Sequence, residues 1–132
     1  LGQLQKIESE LMSLGFQIIA IRGETPDQLK SGAKKNQLNY RLLSDSSMSA
    51  AAAFGIAYRV DDEVVTRYKG YGIELPRVGG FAQLPVPAVF LVRTDGTVAF
   101  GYANPDYRVR LHPDVLLAAA RAEKAHAQSP GR

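Results

Sequence analysis

The 132-residue chain contains no cysteine. That absence excludes a disulfide scaffold, a thiolate metal site and a thiol nucleophile from these residues. Histidine is scarce as well. His112 precedes a helix-start proline and His126 lies in a fading tail, so the two do not read as a ligand pair. No apolar run approaches the roughly 18 to 20 residues of a membrane span, and no membrane partner is expected. No basic-then-apolar leader with a small-residue cleavage site opens the sequence. Leu1 has no methionine before it, and the expectation is that the start of the protein lies upstream and is missing. The compartment is left open, with the cytoplasm favoured.

Concentrated charge is lacking too. The net charge is +3 and the pI about 9.3, but Lys34-Lys35 is the densest basic pair and Arg108 with Arg110 the next. Nucleic-acid binding calls for a clustered stripe of Lys and Arg, so no nucleic-acid partner is expected. Asp61-Asp62-Glu63 is the only acidic run. It lacks the alternating ligands around a glycine turn that calcium needs, and reads as an acid-rich helix start. Ser44, Ser46, Ser47 and Ser49 have no nucleophile-elbow glycines around them. Gly79-Gly80 is not followed by the Gly-Lys of a phosphate loop. Neither a metal nor a cofactor is expected.

What remains is an ordinary core-forming composition, with 45% hydrophobic and 22% charged residues, sized for one domain. Leu4, Ile7, Leu11 and Leu14 recur at helical spacing, and Gly15 stands where a C-terminal cap belongs. Phe16 to Ile21 reads as a buried strand. Thr25-Pro26-Asp27-Gln28 opens a second helix with a capping box and a first-turn proline, and this helix fades near Asn36 to Asn39. Tyr40 to Leu43 is extended. Ser47 caps a small alanine-rich helix that runs through Phe54 and stops at Gly55.

Asp61 to Lys69 forms a further helix with Val64, Val65 and Tyr68 on one side. Gly70, Gly72, Pro76, Gly79 and Gly80 make the stretch after it a loop. Tyr58, Tyr68 and Tyr71, near this insertion, cover the core edge. Leu84-Pro85-Val86-Pro87 then runs into the apolar strand Ala88 to Val92, and Asp95-Gly96 turns it into Thr97 to Phe100. Proline cannot donate to a sheet ladder, so Pro87 belongs at or just before the strand's first residue. Asp95-Gly96 supplies the positive φ angles of a tight antiparallel hairpin. Asn104 to Tyr107 is a turn. Pro113 opens the last helix, with Val115, Leu116 and Ala119 inward. The domain is expected over residues 1–122 and a flexible tail over 123–132. The order fits a mixed α/β layered fold.

Four segments in order carry a resemblance: Ile18 to Ile21 leading into Thr25-Pro26; Leu43-Ser44-Asp45 with Ala53-Phe54-Gly55; Leu84 to Val92 with Asp95-Gly96; and Pro105-Asp106-Tyr107-Arg108 with Arg110. Together they resemble the peroxiredoxin-like alkyl hydroperoxide reductase/thiol-specific antioxidant (AhpC/TSA) family. The resemblance implies a thioredoxin-like fold lacking its N-terminal part, in which a reactive cysteine directly precedes the first helix here. It implies a thiol-dependent oxidoreductase acting on peroxides or disulfides with a thiol reductant, inactive in this cysteine-free chain by itself. It also implies a cis Val86–Pro87 bond and a homo-oligomer or other segment filling the place of the missing strand. Val86, Pro87 and Ala88 are then adjacent to the active site, and Asp106, Tyr107, Arg108 and Arg110 form a polar cluster. Typical peroxiredoxins place an arginine before this strand where the present chain has Val86-Pro87. The alternative function is a non-catalytic interaction module of the same fold.

Overall fold

The computed structural model describes residues 2–36 and 40–127. Their contacts divide them into two units. One holds residues 2–19, 40–41 and 87–127, the other residues 20–36 and 42–86.

In the first unit the expected opening helix is two: α1 (Gly2–Gln5) and α2 (Glu8–Ser13). The break is a tightened turn, in which Ile7 N–H donates to Leu4 O at 3.1 Å. The helical spacing survives it, and Ile7 and Leu11 are both buried. Gly15 ends α2 at φ +91°, with its N–H on Met12 O and the Phe16 N–H on Leu11 O. This is the left-handed glycine stop that frees a helix end from unpaired carbonyls.

β6 (Ala88–Val92) and β7 (Val98–Ala103) pair antiparallel, from Ala88 opposite Ala103 to Val92 opposite Val98, with an irregularity between Leu91 and Val92. The turn is closed by Gly96 N–H on Arg93 O at 2.9 Å, and only Gly96 has positive φ (+92°). Asp95 contributes differently from the expectation: its Oδ1 accepts from the Thr97 N–H and hydroxyl at 2.9 and 2.7 Å.

α6 (Pro113–Ala127) closes the unit. Its buried face is Leu116, Leu117 and Ala120, packed with Ile7, Leu11 and Leu91. The expected Val115 is 49% exposed, because the inward stripe is rotated one residue onward. Each large apolar side chain buried here is worth roughly 1.5–3 kcal/mol. Two ion pairs fasten the helix. Arg121 reaches Glu10 on α2 at 2.9 Å, and Arg93 at the hairpin turn grips both Glu123 carboxylate oxygens through Nε and Nη2 at 2.6 and 3.3 Å. Residues 123–127, placed in the tail on sequence grounds, continue the helix; residues 128–132 lie outside the described residues.

β1 (Ile19–Arg22) pairs with β2 (Arg41–Ser44), and all of both strands but Ile19 and Arg41 belongs to the second unit. The expected burial of Phe16 to Ile21 holds only in part: Phe16 and Ile18 pack against the core of the first unit, whereas Ile19 and Ile21 are 49% and 46% exposed. α3 (Pro26–Asn36) opens with the expected capping box, Thr25 N–H on Gln28 Oε1 at 2.9 Å and Gln28 N–H on Thr25 Oγ1 at 3.4 Å. The end of its fade, residues 37–39, lies outside the described residues.

α4 (Ser49–Ala53) is not capped by Ser47. The buried Asp45 carboxylate does so instead, accepting from Ala50 N–H and Ala51 N–H at 2.9 Å each. Ser47 turns its hydroxyl to Ser49. α5 (Asp62–Gly70) begins as expected, with Asp61 Oδ1 accepting from Val64 N–H at 3.0 Å.

The stretch read as a glycine-rich loop is instead part of an antiparallel sheet. β4 (Arg77–Val78) and β5 (Phe81–Pro85) form a hairpin around Gly79-Gly80, at φ +59° and +83°, and β3 (Ala57–Arg59) pairs on the other side of β5. Two successive positive φ values match the right-handed strand twist, so the glycines make a hairpin.

Candidate functional site

In the first unit Pro87 and Ala88 stand at the entrance of β6. Both are half-buried, and Ala88 lies opposite Ala103. Pro87 has no N–H to give, but its carbonyl accepts from Asn104 N–H at 3.2 Å, extending the β6–β7 ladder by one bond. Asn104 uses its side chain in the other direction: Oδ1 accepts from Asp106 N–H at 2.9 Å, while Nδ2 approaches the Tyr102 hydroxyl at 3.5 Å. An asparagine bonding the backbone two residues on is an Asx turn, and it starts the polar segment.

That segment carries two local sets of hydrogen bonds. Asp106 and Arg108 form a two-pronged pair, Oδ1 to Nε at 2.9 Å and Oδ2 to Nη2 at 3.0 Å, and Asp106 Oδ1 also accepts from Arg108 N–H at 3.1 Å. Arg110 Nε donates to Tyr107 O at 2.8 Å. Two parallel charge-assisted bonds fix the guanidinium plane, which a lysine could not do. The Arg108 guanidinium and N–H hold the Asp106 carboxyl below the ordinary aspartate range, and Asp106 in turn raises Arg108. Tyr107 is 69% exposed, so its ring covers no core in this unit.

Asn104 therefore joins the two groups of candidates, Pro87-Ala88 and Asp106 to Arg110. Sequence reading took Asn104 only as a turn residue. The available signal was its position at the end of a strand and two residues before an aspartate.

Val86 belongs to the second unit, where it is half-buried and its N–H donates to Ile56 O at 2.8 Å, continuing the β3–β5 ladder. The Val86–Pro87 bond is trans, against the expected cis. Of the tyrosines near the insertion, Tyr68 is half-buried, whereas Tyr58 and Tyr71 are exposed. Partial burial, with Tyr68 close by, raises the Tyr58 phenol above its ordinary value. His112 serves the backbone, its Nδ1 accepting from Asp114 N–H at 3.1 Å beside the start of α6. A cleft of about 240 Å³ in the first unit is lined by Gln3, Lys6, Ile7, His112, Pro113 and Asp114, and none of the sequence-based site candidates lines it.

What this arrangement can do chemically is bind and orient. It presents backbone polar groups, a fixed guanidinium and an exposed phenol, but no thiol. Among the described residues no helix is long and apolar enough to cross a membrane.

Comparison with solved structures places the architecture. The chain is similar to the crystal structure of Enterococcus faecalis AhpC at 18% identity and a TM-score of 0.73, over 100% of this chain and 68% of that one. It is also similar to the peroxidoxin BcpB from Mycobacterium tuberculosis at 20% identity and a TM-score of 0.66, over 91% of this chain and 66% of that one. The chain thus spans about two thirds of the length of each. No curated protein is matched. The fold is α/β and thioredoxin-like, as the segment order implied. The family model described as AhpC/TSA family matches residues 1–100, well over half of the sequence, and the chain belongs to the AhpC/TSA family.

Proposed function

We propose that this chain is a domain of a thiol-dependent oxidoreductase that reduces peroxides or disulfides, with the reactive thiol lying outside these 132 residues. The observation that carries the proposal is the coincidence of AhpC/TSA membership with a sequence containing no cysteine. Thiolate is the nucleophile in both reactions. It attacks a peroxide oxygen or a disulfide sulfur, and the product is a sulfenic acid or a mixed disulfide. No other side chain here supplies that nucleophile.

In this reading Val86, Pro87 and Ala88 border the reacting centre with backbone groups, and Asn104 holds Pro87 in line with the Asp106–Arg108 pair. Arg108, Arg110 and Tyr107 shape the polar side of the approach. The partners are a peroxide or disulfide substrate and a thiol reductant.

The cysteine-free sequence also favours a second reading, a non-catalytic binding module of the same fold. The coding sequence on the amino-terminal side of Leu1 separates the two. A cysteine in the few residues before the first helix supports the oxidoreductase, and an upstream segment without cysteine supports the module.

Assembly belongs to the same proposal. Among the described residues β6 pairs only with β7, and β1 only with β2. An unpaired edge is a template for a further strand. A second copy or another segment of the protein pairs with such an edge. Light scattering on the 132-residue chain at micromolar concentration is expected to show association; a cooperatively unfolding monomer would count against a second copy.

A further inference from the structure

We infer that Met12 is a peroxide-reactive modification site of this chain, and that it is the only sulfur that reacts in the native state. The inference does not depend on the thiol chemistry proposed above. Without cysteine, the chain has two sulfur atoms, those of Met12 and Met48. The fold treats them oppositely.

Met12 lies on α2 next to the buried Leu11, and α2 turns Leu11 into the core and Met12 outward, leaving Met12 62% exposed. Its backbone is engaged, the carbonyl accepting from Gly15 N–H, but its side chain faces solvent. Met48 is 2% exposed, at φ +60°, with its N–H on Asp45 O and its sulfur against Gly23, 3.9 Å from where a β-carbon on that residue would stand. At 2% exposure the side chain leaves no path for a peroxide to reach the sulfur.

Susceptibility of a thioether follows its exposure. The sulfur lone pair of Met12 attacks one oxygen of a hydroperoxide, the S–O bond forms and the O–O bond breaks. The departing hydroxide or alkoxide takes the proton of the transferred oxygen, leaving as water or an alcohol and leaving the sulfoxide. Sulfur is oxidised by two electrons and the peroxide is reduced by two. The sulfoxide is polar and sits on a surface already in water, so the fold tolerates it. Met48 can react only when the second unit opens, and a sulfoxide there would prevent reclosure.

The test treats the native 132-residue chain with hydrogen peroxide and, separately, with tert-butyl hydroperoxide, and follows oxygen uptake by peptide mass mapping. Met12 is expected to oxidise more than about tenfold faster than Met48, because Met48 must wait for an opening event. Met12→Leu should remove the fast uptake and Met48→Leu should leave it unchanged. In denaturant the two methionines should react at similar rates, and methionine sulfoxide reductases should restore Met12. Equal native rates at the two positions, or a native Met12 as resistant as Met48, would overturn the inference.

Discussion

Asp45 is the residue on which the local order of the second unit most depends. It is 8% exposed, and both its oxygens are used by the first turn of α4. Replacing a capping aspartate with alanine costs about 1–2 kcal/mol, and here two backbone donors lose their acceptor together. Asp45→Ala should therefore lower stability by about that amount in urea unfolding at neutral pH, while Ser47→Ala should stay within about 0.5 kcal/mol of the parent. Equal effects would mean that the serine carries the cap. At Asp106 the test is pH. Its carboxyl is held below the ordinary range by Arg108, so the unfolded state binds the proton more readily than the folded one. The contribution of the pair is complete above the ordinary aspartate value near pH 4 and is lost as pH falls through the lower, folded value. NMR of the Asp106 carboxyl should show titration below that of a free aspartate, and Arg108→Lys should bring it part of the way back.

At the scale of elements, two glycines with the same empty surroundings should respond oppositely to alanine. A β-carbon on either Gly32 or Gly80 would meet nothing within 4 Å, so only the backbone decides. Gly80 turns the β4–β5 hairpin at φ +83°, where an L-residue pays about 1–2 kcal/mol. Gly32 lies within α3, where alanine gains about 0.5–1 kcal/mol over glycine. Gly80→Ala should thus destabilise and Gly32→Ala stabilise, as read by thermal unfolding. The same hairpin shows where the sequence was legible. Signals confined to a few neighbouring residues carried through: the Thr25–Gln28 box, the Asp61 cap, the Gly15 stop and the Gly96 turn. Gly79-Gly80 was equally local, but two glycines between short, partly polar strands fit both a loop and a turn. Pairing with β3, more than twenty residues away, is what decides between them. Burial failed for a related reason. Ile19 and Ile21 have strand character, yet apolar composition does not say what covers a face. Ser47 lost the cap to Asp45: Met48 takes a left-handed conformation at the entry to α4, Asp45 accepts from the Ala50 and Ala51 amides, and Ser47 bonds Ser49 instead.

For the whole molecule, family and chemistry were legible to different degrees. The spacing of four short segments pointed to AhpC/TSA, and the family match over residues 1–100 agrees. The site was legible only in part. Asp106 pairs with Arg108, and Arg110 with the Tyr107 carbonyl, just after an Asx turn, but the bonds by which Asn104 reaches both Pro87 and Asp106 depend on the register of β6 against β7, which no short motif encodes. The trans Val86–Pro87 bond was hidden likewise, since an X–Pro dipeptide carries no local signal that fixes its isomer. Catalysis is the sharpest case, because the chain belongs to the AhpC/TSA family and its 132 residues hold no thiol. Peroxide consumption by the purified 132-residue chain, with dithiothreitol or thioredoxin as the reductant, tests this directly. The expected rate is that of the buffer blank at every protein concentration, apart from the single oxygen taken up at Met12. A sustained rate that scales with protein concentration, and persists after contaminating enzymes are removed, would contradict it.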